Sequence, residues 1–571
     1  MKRHYCYKHL LLSLLLVTTI GSSSVALAAA PAPQRYENGA VVSASIQASK
    51  VGVDIMRKGG NAFDAAAATG FALAVTFPLA GNVGGGGFMV AYDSQGQAIT
   101  LDFRETAPAA AHKDMYLDAK GDVIPGMSLR SPQASGVPGS VDGLLRIWED
   151  HGSGKISRRA LIAPAIRLAK KGFNLSAQEA ASFNAGRSRF EKDSGASKIF
   201  LHPERRPWKA GDRFVQPDLA RTLKRIARHG RDGFYQGTTA ELLATQHASS
   251  GGLITESDLA DYRSKYRDAV SGSYKDVDII SMGPPSSGGI LLVHMLNMLD
   301  QFDIKTAGWN SAQTIHILTE IQRRAYADRA AHLGDQDYWN VPLAWLGSKG
   351  YALERAATIN LEQATPSSEI SAGPPPAYES EETTHFSAAD ASGNLVSITT
   401  TLNTGYGSGI VIDGAGFLMN NEMDDFSSKP GTPNAYGLIG SEANAIAPGK
   451  RMLSSMTPTI VLRDNKPWLA LGSPGGSTII TTVLQILLNV HEHGMNIQEA
   501  ISAPRHHSQW LPDVVTHEPR AFTHDTRQRL VALGHELKER SSIGQANALE
   551  IRDDGIYAAP DPRSNNAATG Y

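Results

Sequence analysis

A threonine at an abrupt change in sequence character is the residue best suited to act as a nucleophile. Residues 371–382 are rich in proline and then acidic, which predicts an exposed, extended connector. Thr383 follows at once and begins a run of β-branched residues typical of a strand. If the chain were cut before Thr383, one residue would carry both a hydroxyl and a new α-amine. Such an amine titrates near about 7.7–8.0 in unfolded peptides and can accept the hydroxyl proton. The boundary therefore predicts a cleavage site, and an ordinary strand start is the alternative.

Two adjacent glycines offer the group that such a nucleophile needs next. Gly475 and Gly476 directly precede an apolar helix predicted over 477–490, so their N–H groups belong to the positive end of a helix dipole. N–H groups in that position can stabilise the oxyanion of an acyl-transfer reaction. The alternative is that the glycines only permit a tight turn, since the pair 288–289 has the same local pattern.

Other familiar chemistries lack their residues in this sequence. Gly84–Gly87 is not followed by the Lys-Ser/Thr pair of a phosphate loop. His491 and His493 are two positions apart, whereas two zinc ligands on one helical face need a spacing of four. No Gly-x-Ser-x-Gly nucleophile elbow occurs. We therefore expect neither a metal nor an organic cofactor.

The elements that must position these residues alternate between helical and extended blocks. Residues 140–360 read as mostly helical, with interleaved charges typical of solvated helix faces. Asn61 is a suitable N-cap for the helix that follows it. This order predicts an α+β fold, a four-layer αββα sandwich with two stacked sheets between helical layers. The other predicted elements are helices over 50–58 and 62–76, strands over 88–92, 98–103 and 468–472, and a hairpin over 383–389 and 395–402.

Composition and the first thirty residues indicate an exported protein. The chain has 571 residues, is 42% hydrophobic and carries a formal net charge of −2, which excludes a disordered chain and gives no sign of a nucleic-acid partner. Residues 1–28 combine a basic start, an apolar run and the ending Ala26-Leu27-Ala28, which is typical of a signal peptide. The run is half of the about 20 residues that span a bilayer, so we expect no membrane anchor. We expect a periplasmic or secreted protein without disulfides, because Cys6 is the single cysteine.

Six ordered motifs follow residue 382, and they are Thr383–Ser387, Thr399–Asn403, Asn420–Phe426, Leu453–Pro458, Gly472–Gly476 and Asp561–Ser564. Three more occur in the first half, and they are Gly60–Ala65, Gly84–Phe88 and Asp102–Glu105. Together these motifs closely resemble those of γ-glutamyltranspeptidases, also called glutathione hydrolases. The resemblance runs from about residue 35 to Tyr571.

This resemblance implies an N-terminal nucleophile hydrolase fold built from two processed subunits. The precursor would cut itself between Glu382 and Thr383, which leaves a large subunit of residues 29–382 and a small subunit of residues 383–571 as a heterodimer. In the mature enzyme the Thr383 hydroxyl would form a γ-glutamyl ester, and Thr401 would position its amine. The resemblance implies that Gly475 and Gly476 stabilise the oxyanion of the tetrahedral intermediate.

The resemblance also implies how a γ-glutamyl donor is recognised. A guanidinium binds a carboxylate in a fork, so Arg104 suits the donor's α-carboxylate. The family match adds the hydroxyls of Ser454 and Ser455 to that carboxylate. Acidic and amide side chains suit the α-ammonium, and they are Glu422, Asp425 and Asn403. An acidic loop without a ligand is the alternative for residues 422–425.

Residues 433–450 match the lid of many family members, with Tyr436 as the gating aromatic. Glu382 stands where several bacterial relatives have Gln, which would affect the rate of maturation. The expected activity is cleavage of γ-glutamyl amides such as glutathione, with transfer to water, amino acids or dipeptides. A glutaryl or cephalosporin acylase on the same fold is the nearest alternative, and Asp425 argues against it because those substrates lack the ammonium. A periplasmic solute-binding protein is the alternative from another class.

Overall fold

The computed structural model describes residues 31–372, 384–429 and 442–571. Most of its strands belong to two large antiparallel sheets. The strands are β1 Gln34–Tyr36, β2 Gly39–Ser43, β3 Gly86–Tyr92, β4 Ala98–Asp102, β5 Phe173–Asn174, β6 Arg213–Phe214, β7 Lys265–Tyr266, β8 Val270–Tyr274, β9 Val277–Ser281, β10 Thr384–Asp390, β11 Leu395–Thr401, β12 Thr459–Arg463, β13 Lys466–Leu471, β14 His506–His507, β15 Val515–His517, β16 Leu537–Glu539, β17 Asn547–Arg552, β18 Gly555–Pro560 and β19 Ala567–Gly570.

The helices lie before, between and after these strands. They are α1 Ile46–Arg57, α2 Ala62–Thr76, α3 Met127–Arg130, α4 Ser140–His151, α5 Arg158–Lys171, α6 Ala177–Ala185, α7 Arg187–Phe190, α8 Ser194–Phe200, α9 Pro217–His229, α10 Asp232–Tyr235, α11 Gly237–Ser250, α12 Glu256–Asp261, α13 Gly288–Leu299, α14 Ile304–Ala307, α15 Ala312–His332, α16 Leu343–Leu346, α17 Lys349–Ala357, α18 Thr478–His491, α19 Ile497–Ser502 and α20 His524–Ala532.

The two large sheets each contain seven strands. Sheet I has the order β19-β2-β10-β11-β3-β4-β7, and sheet II has the order β1-β18-β17-β13-β12-β9-β8. Each sheet takes strands from before residue 373 and from after residue 383. The two parts of the chain are therefore interleaved in both sheets.

Three hydrophobic clusters define the layers. One cluster joins side chains of the two sheets, such as Val42 and Phe88 of sheet I with Ile460 and Ala470 of sheet II. A second contains α1, α2 and α4 together with the other face of sheet I. A third contains α13, α18 and α19 together with the other face of sheet II. The predicted four-layer α+β sandwich is confirmed.

Helix α2 shows why the sequence folds this way locally. Every residue of the helix is buried, and its small side chains let neighbouring elements approach closely. Asn61 accepts a hydrogen bond from the Asp64 N–H, and the Asp64 carboxylate accepts one from the Asn61 N–H. The predicted bounds and the predicted N-cap of α2 are both confirmed.

The expectation of mostly helix for residues 140–360 is confirmed, and the segment also contains strands β8 and β9 at one edge of sheet II. The expectation of solvated helix faces is wrong for α15, because Arg323 and Arg324 are buried in ion pairs with Glu320. Side chains of opposite charge can be buried when they form ion pairs. The sequence spacing of such pairs is the same as that of charged residues on a solvent-exposed helix face.

Candidate active site

The β10–β11 hairpin brings the start of one strand beside the end of the other. Thr384 lies opposite Thr400 in the register. Phe386 belongs to the hydrophobic cluster between sheet I and helices α1, α2 and α4, whereas His385 and Ser387 point toward sheet II. The His385 ring nitrogens lie 2.9 Å from Thr399 Oγ1 and 3.0 Å from Ser387 Oγ. Glu382 and Thr383, the predicted cleavage site and nucleophile, lie outside the described residues.

The predicted oxyanion loop follows β13 and approaches this hairpin. A Cβ placed on Gly472 would collide with the His385 ring, so the backbone of the loop packs directly on that ring. Gly475 and Gly476 have φ angles of 133° and 54°, a region that glycine adopts without strain. They stand immediately before α18, as the sequence predicted, so their N–H groups belong to its positive end. The loop that carries the predicted oxyanion turn therefore packs against β10.

A buried guanidinium surrounded by carboxyl groups forms the charged part of the site. Arg104 is 1% exposed, and its Nη1 lies 2.6 Å from Glu422 Oε2. Its Nη2 forms an ion pair with Asp425, and Glu105 Oε2 lies 3.8 Å from Nη1. Arg104 follows β4, whereas Glu422 and Asp425 lie on one 3-10 turn. The fold therefore assembles the predicted cationic and anionic groups from opposite halves of the sequence.

Burial decides the protonation of two of these carboxyl groups. Desolvation raises the pKa of Glu105 to about 8, against the opposing effect of Arg104. Desolvation also raises the pKa of Glu422 well above its ordinary value, again opposed by Arg104. Neither carboxyl oxygen of Glu105 has a hydrogen-bond partner among the described residues. One guanidinium thus faces more carboxyl groups than can be ionised together, and an added ammonium would find a partner here.

The predicted serine pair lies against the same guanidinium. Arg104 donates hydrogen bonds to the carbonyl oxygens of Met452 and Leu453, which immediately precede Ser454. Ser454 and Ser455 are both buried. Arg329 of α15 donates a 3.3 Å hydrogen bond to Ser455 Oγ. The backbone that leads into the predicted serine pair therefore lies against the Arg104 guanidinium.

A tight loop after β11 carries the remaining predicted residues. The Asn403 N–H donates a 2.7 Å hydrogen bond to Thr401 Oγ1, and the Asn403 side-chain amide donates to the Asn421 carbonyl. Asn403 and Tyr406 have φ angles of 74° and 64°, which cost free energy in residues other than glycine. Thr401 and Asn403 thereby reach the turn of Glu422 and Asp425. The gating aromatic predicted at Tyr436 lies outside the described residues.

Sequence reasoning missed two buried groups that contact this site. Glu105 lies inside a motif singled out for Arg104, and its place next to a predicted ligand was the available signal. Arg329 gave none, because it lies within a helix whose charges resemble a solvated face. Among the described residues there is no cluster of three or more His, Cys, Asp or Glu that could hold a metal ion. In the same ranges, no helix has the length and hydrophobicity that crossing a membrane requires.

Comparisons with known proteins agree with these features. The family model described as Gamma-glutamyltranspeptidase matches residues 48–571. The chain is 46% identical over 541 residues to the glutathione hydrolase proenzyme of Escherichia coli (strain K12), which covers 94% of this chain and 93% of that protein.

Two solved structures are similar to this chain, and they differ in sequence identity and in the share of the chain that they cover. Helicobacter pylori gamma-glutamyltranspeptidase is 44% identical with a TM-score of 0.57, and the match covers 58% of this chain and 94% of that one. Cephalosporin acylase from Bacillus halodurans is 26% identical with a TM-score of 0.84, over 97% of this chain and 99% of that one. The acylase thus shares the whole fold at lower sequence identity.

Proposed function

The chain belongs to the gamma-glutamyltranspeptidase family, and we propose that it is an autoprocessed γ-glutamyltransferase and glutathione hydrolase with a threonine nucleophile. The proposal rests mainly on the buried ion pairs that Arg104 forms with Glu422 and Asp425. A γ-glutamyl group presents one carboxylate and one ammonium on the same carbon. In the free site Arg104 and Asp425 pair with each other, and a zwitterionic donor can exchange that ion pair for two.

Donor binding follows from this exchange. The α-carboxylate takes the Arg104 guanidinium and the hydroxyls of Ser454 and Ser455. The α-ammonium takes Asp425 and Glu422, and the Asn403 side chain lies beside them. A buried charge is costly unless it is paired, so a donor without the ammonium leaves these carboxyl groups uncompensated. This requirement favours γ-glutamyl amides over glutaryl amides.

Thr383 is the proposed nucleophile because it directly precedes Thr384, the first residue of β10. Its hydroxyl attacks the γ-carbonyl carbon, and the hydroxyl proton moves to its own α-amine, which Thr401 helps to position. Gly475 and Gly476 donate N–H groups to the oxyanion. The C–N bond then breaks, the proton passes to the departing amine, and a γ-glutamyl ester remains. Water or an acceptor amine attacks the ester and restores the threonine hydroxyl.

Maturation uses the same hydroxyl on a different carbonyl. In the precursor Thr383 attacks the carbonyl of Glu382, and hydrolysis of the resulting ester frees the α-amine. The products are a large subunit of residues 29–382 and a small subunit of residues 383–571. Residues 1–28 act as a signal peptide, so the mature heterodimer is periplasmic or secreted. Tyr436 closes over the bound donor. The interleaving of both parts in each sheet supports a heterodimer that stays assembled after the cut.

A denaturing gel and a pair of matched donors test this function. Wild type and Thr383→Ser, which keeps the hydroxyl, should give two bands, and Thr383→Ala should give one. Wild type should release amine from γ-glutamyl-p-nitroanilide at least 100-fold faster than from glutaryl-p-nitroanilide, which differs only in lacking the ammonium. Activity in an uncut wild-type chain would contradict the mechanism. Preference for the glutaryl donor would favour the acylase.

A further inference from the structure

Two different surroundings flank the start of β10 in sheet I. On the side of β11, β3 and β4 lies the charged cluster of Arg104, Glu422 and Asp425. On the other side lies β2, and a small cavity of about 80 Å³ opens beside Ala44, the residue that follows this strand. An amide bond attacked at the start of β10 has its acyl part on one side and its amine on the other. With the γ-glutamyl charges held on the β4 side, an amine that leaves on the opposite side extends toward β2.

The cavity, named here the β2-side cavity, touches three segments around the start of β10. Its walls include Ala44, Phe77, Leu79, Phe183, Tyr406 and Gln545. The β2–β10 register pairs Val42 with Ser387 and, continued by two residues, sets Ala44 opposite His385. The Leu79 carbonyl accepts the Tyr406 N–H at 2.8 Å, in the loop that follows Thr401.

The third segment contains Gln545, which contacts the oxyanion loop. The Gln545 N–H donates a 3.1 Å hydrogen bond to Ser473 Oγ, three residues before Gly476. The cavity therefore borders the end of β2 and the Thr401 loop, and it reaches the oxyanion loop through Gln545. Arg104, Glu422 and Asp425 are not among its described lining residues, so a group placed in it lies outside the charged cluster.

The lining of the β2-side cavity defines what it can hold. Eight of its fifteen described lining residues are aromatic or aliphatic, and none of the fifteen is a lysine or an arginine. Glu179 is the charged residue among them, and that carboxylate already accepts the Ser176 N–H. The remaining polar lining residues are neutral, and they are Thr76, Gln178, Ser182, Gln545, Ser564 and Asn565. Such a lining suits an uncharged side chain with apolar surface, and its described residues offer no cation to an acidic one.

We infer that the β2-side cavity binds the amine side of the reacting bond and makes the enzyme prefer acceptors with apolar side chains. The inference rests on the proposed γ-glutamyl transfer and adds the class of acceptor. The same cavity receives the side chain of the departing amine, because departure and acceptance follow the same path in opposite directions. Small acceptors such as glycylglycine gain nothing from the apolar wall and serve as the reference.

Partitioning of the ester isolates this step. At saturating donor, water and the acceptor compete for one common γ-glutamyl ester, so the ratio of transfer to hydrolysis depends only on the second half-reaction. Leu79→Trp fills the cavity from a half-buried position. We expect this ratio to fall about tenfold or more for phenylalanine and leucine as acceptors, relative to glycylglycine. The matched control is Leu353→Trp, at a leucine that is 52% exposed, and it should leave the ratios unchanged.

A second variant, Leu79→Ala, tests the inference if Leu79→Trp does not fold. Leu79→Ala enlarges the cavity and should shift the preference from leucine toward phenylalanine. Equal changes for apolar acceptors and glycylglycine in both variants, or no change at all, would overturn the inference while donor hydrolysis upheld the proposed function. A wild-type enzyme that forms no γ-glutamyl ester would instead overturn the proposed function itself.

Discussion

The guanidinium of Arg104 and the carboxyl group of Glu422 lie 2.6 Å apart with almost no contact with solvent. The two residues are far apart in sequence, on opposite sides of the proposed cleavage site. Their partnership with Asp425 creates a site in which the ligand's charges must replace those of the protein. We therefore expect the affinity for the proposed γ-glutamyl donor to depend on matching both of its charges.

Replacement of Asp425 by asparagine should weaken ammonium recognition while keeping the shape of the side chain. We expect kcat/KM for γ-glutamyl-p-nitroanilide to fall about 100-fold, since removing one member of a buried charge pair costs about 2–5 kcal/mol. The rate for glutaryl-p-nitroanilide should stay the same or rise. Steady-state kinetics with both donors measure this change, and an equal loss for the two would argue against an ammonium site.

Substitution of Gly472 by alanine should disturb the contact between the oxyanion loop and His385. The added methyl collides with the ring, and overpacking costs about 1–3 kcal/mol of unfolding free energy. Gly350→Ala is the matched control, because it lies in helix α17 with no atom within 4 Å of the new methyl. For Gly472→Ala we expect a lower unfolding free energy, measured by urea denaturation, and a lower kcat. A control as damaging as Gly472→Ala would refute the packing argument.

Glu105 should make stability depend on pH on the alkaline side. Its folded pKa is raised from 4.5 to about 8, so its contribution to stability is full below 4.5 and declines as the pH rises to about 8. Glu105→Gln cannot ionise, and it should lose less unfolding free energy than wild type between pH 5 and pH 8. We expect a difference of about 1 kcal/mol or more. Urea titrations at both pH values, with the exposed Glu37→Gln as control, measure it.

His506 should limit stability in acid. Burial lowers its pKa from 6.5 to about 3, and neither ring nitrogen has a hydrogen-bond partner among the described residues. The unfolded chain gains a proton below pH 6.5 that the folded protein does not bind, so stability is lost as the pH falls from 6.5 toward 3. The loss reaches up to about 2 kcal/mol at pH 5.

His506→Phe should remove that part of the acid sensitivity, because the new ring cannot be protonated and Phe522 is already a neighbour. The exposed His112→Phe is the control and should keep the wild-type profile. Unfolding free energies at pH 7.5 and pH 5 give the comparison. An unchanged difference between these pH values in His506→Phe would show that other groups cause the acid loss.

Local signals allowed much of the fold to be predicted. Helix α2 was recognised by its run of small apolar residues after Asn61, and the β10–β11 hairpin by its β-branched pattern around a turn. The motifs also brought Arg104 and Asp425 into one hypothesis, and the family they indicated is confirmed. Strand β8 was missed because Gly272 and two serines interrupt its apolar pattern, and β9 because Asp278 interrupts its β-branched run. The buried charges of α15 were missed because Arg323 also pairs with Asp513, a partner that spacing cannot reveal.

The alternation of early and late strands across both sheets has a consequence for the mature enzyme. Two chains that share both sheets cannot come apart as folded bodies, because dissociation would unravel both sheets at once. The free energy that holds the pieces together is then the folding free energy of the whole sandwich. Dilution alone should not separate the two chains. A protein secreted into a large volume outside the cell would therefore keep its activity.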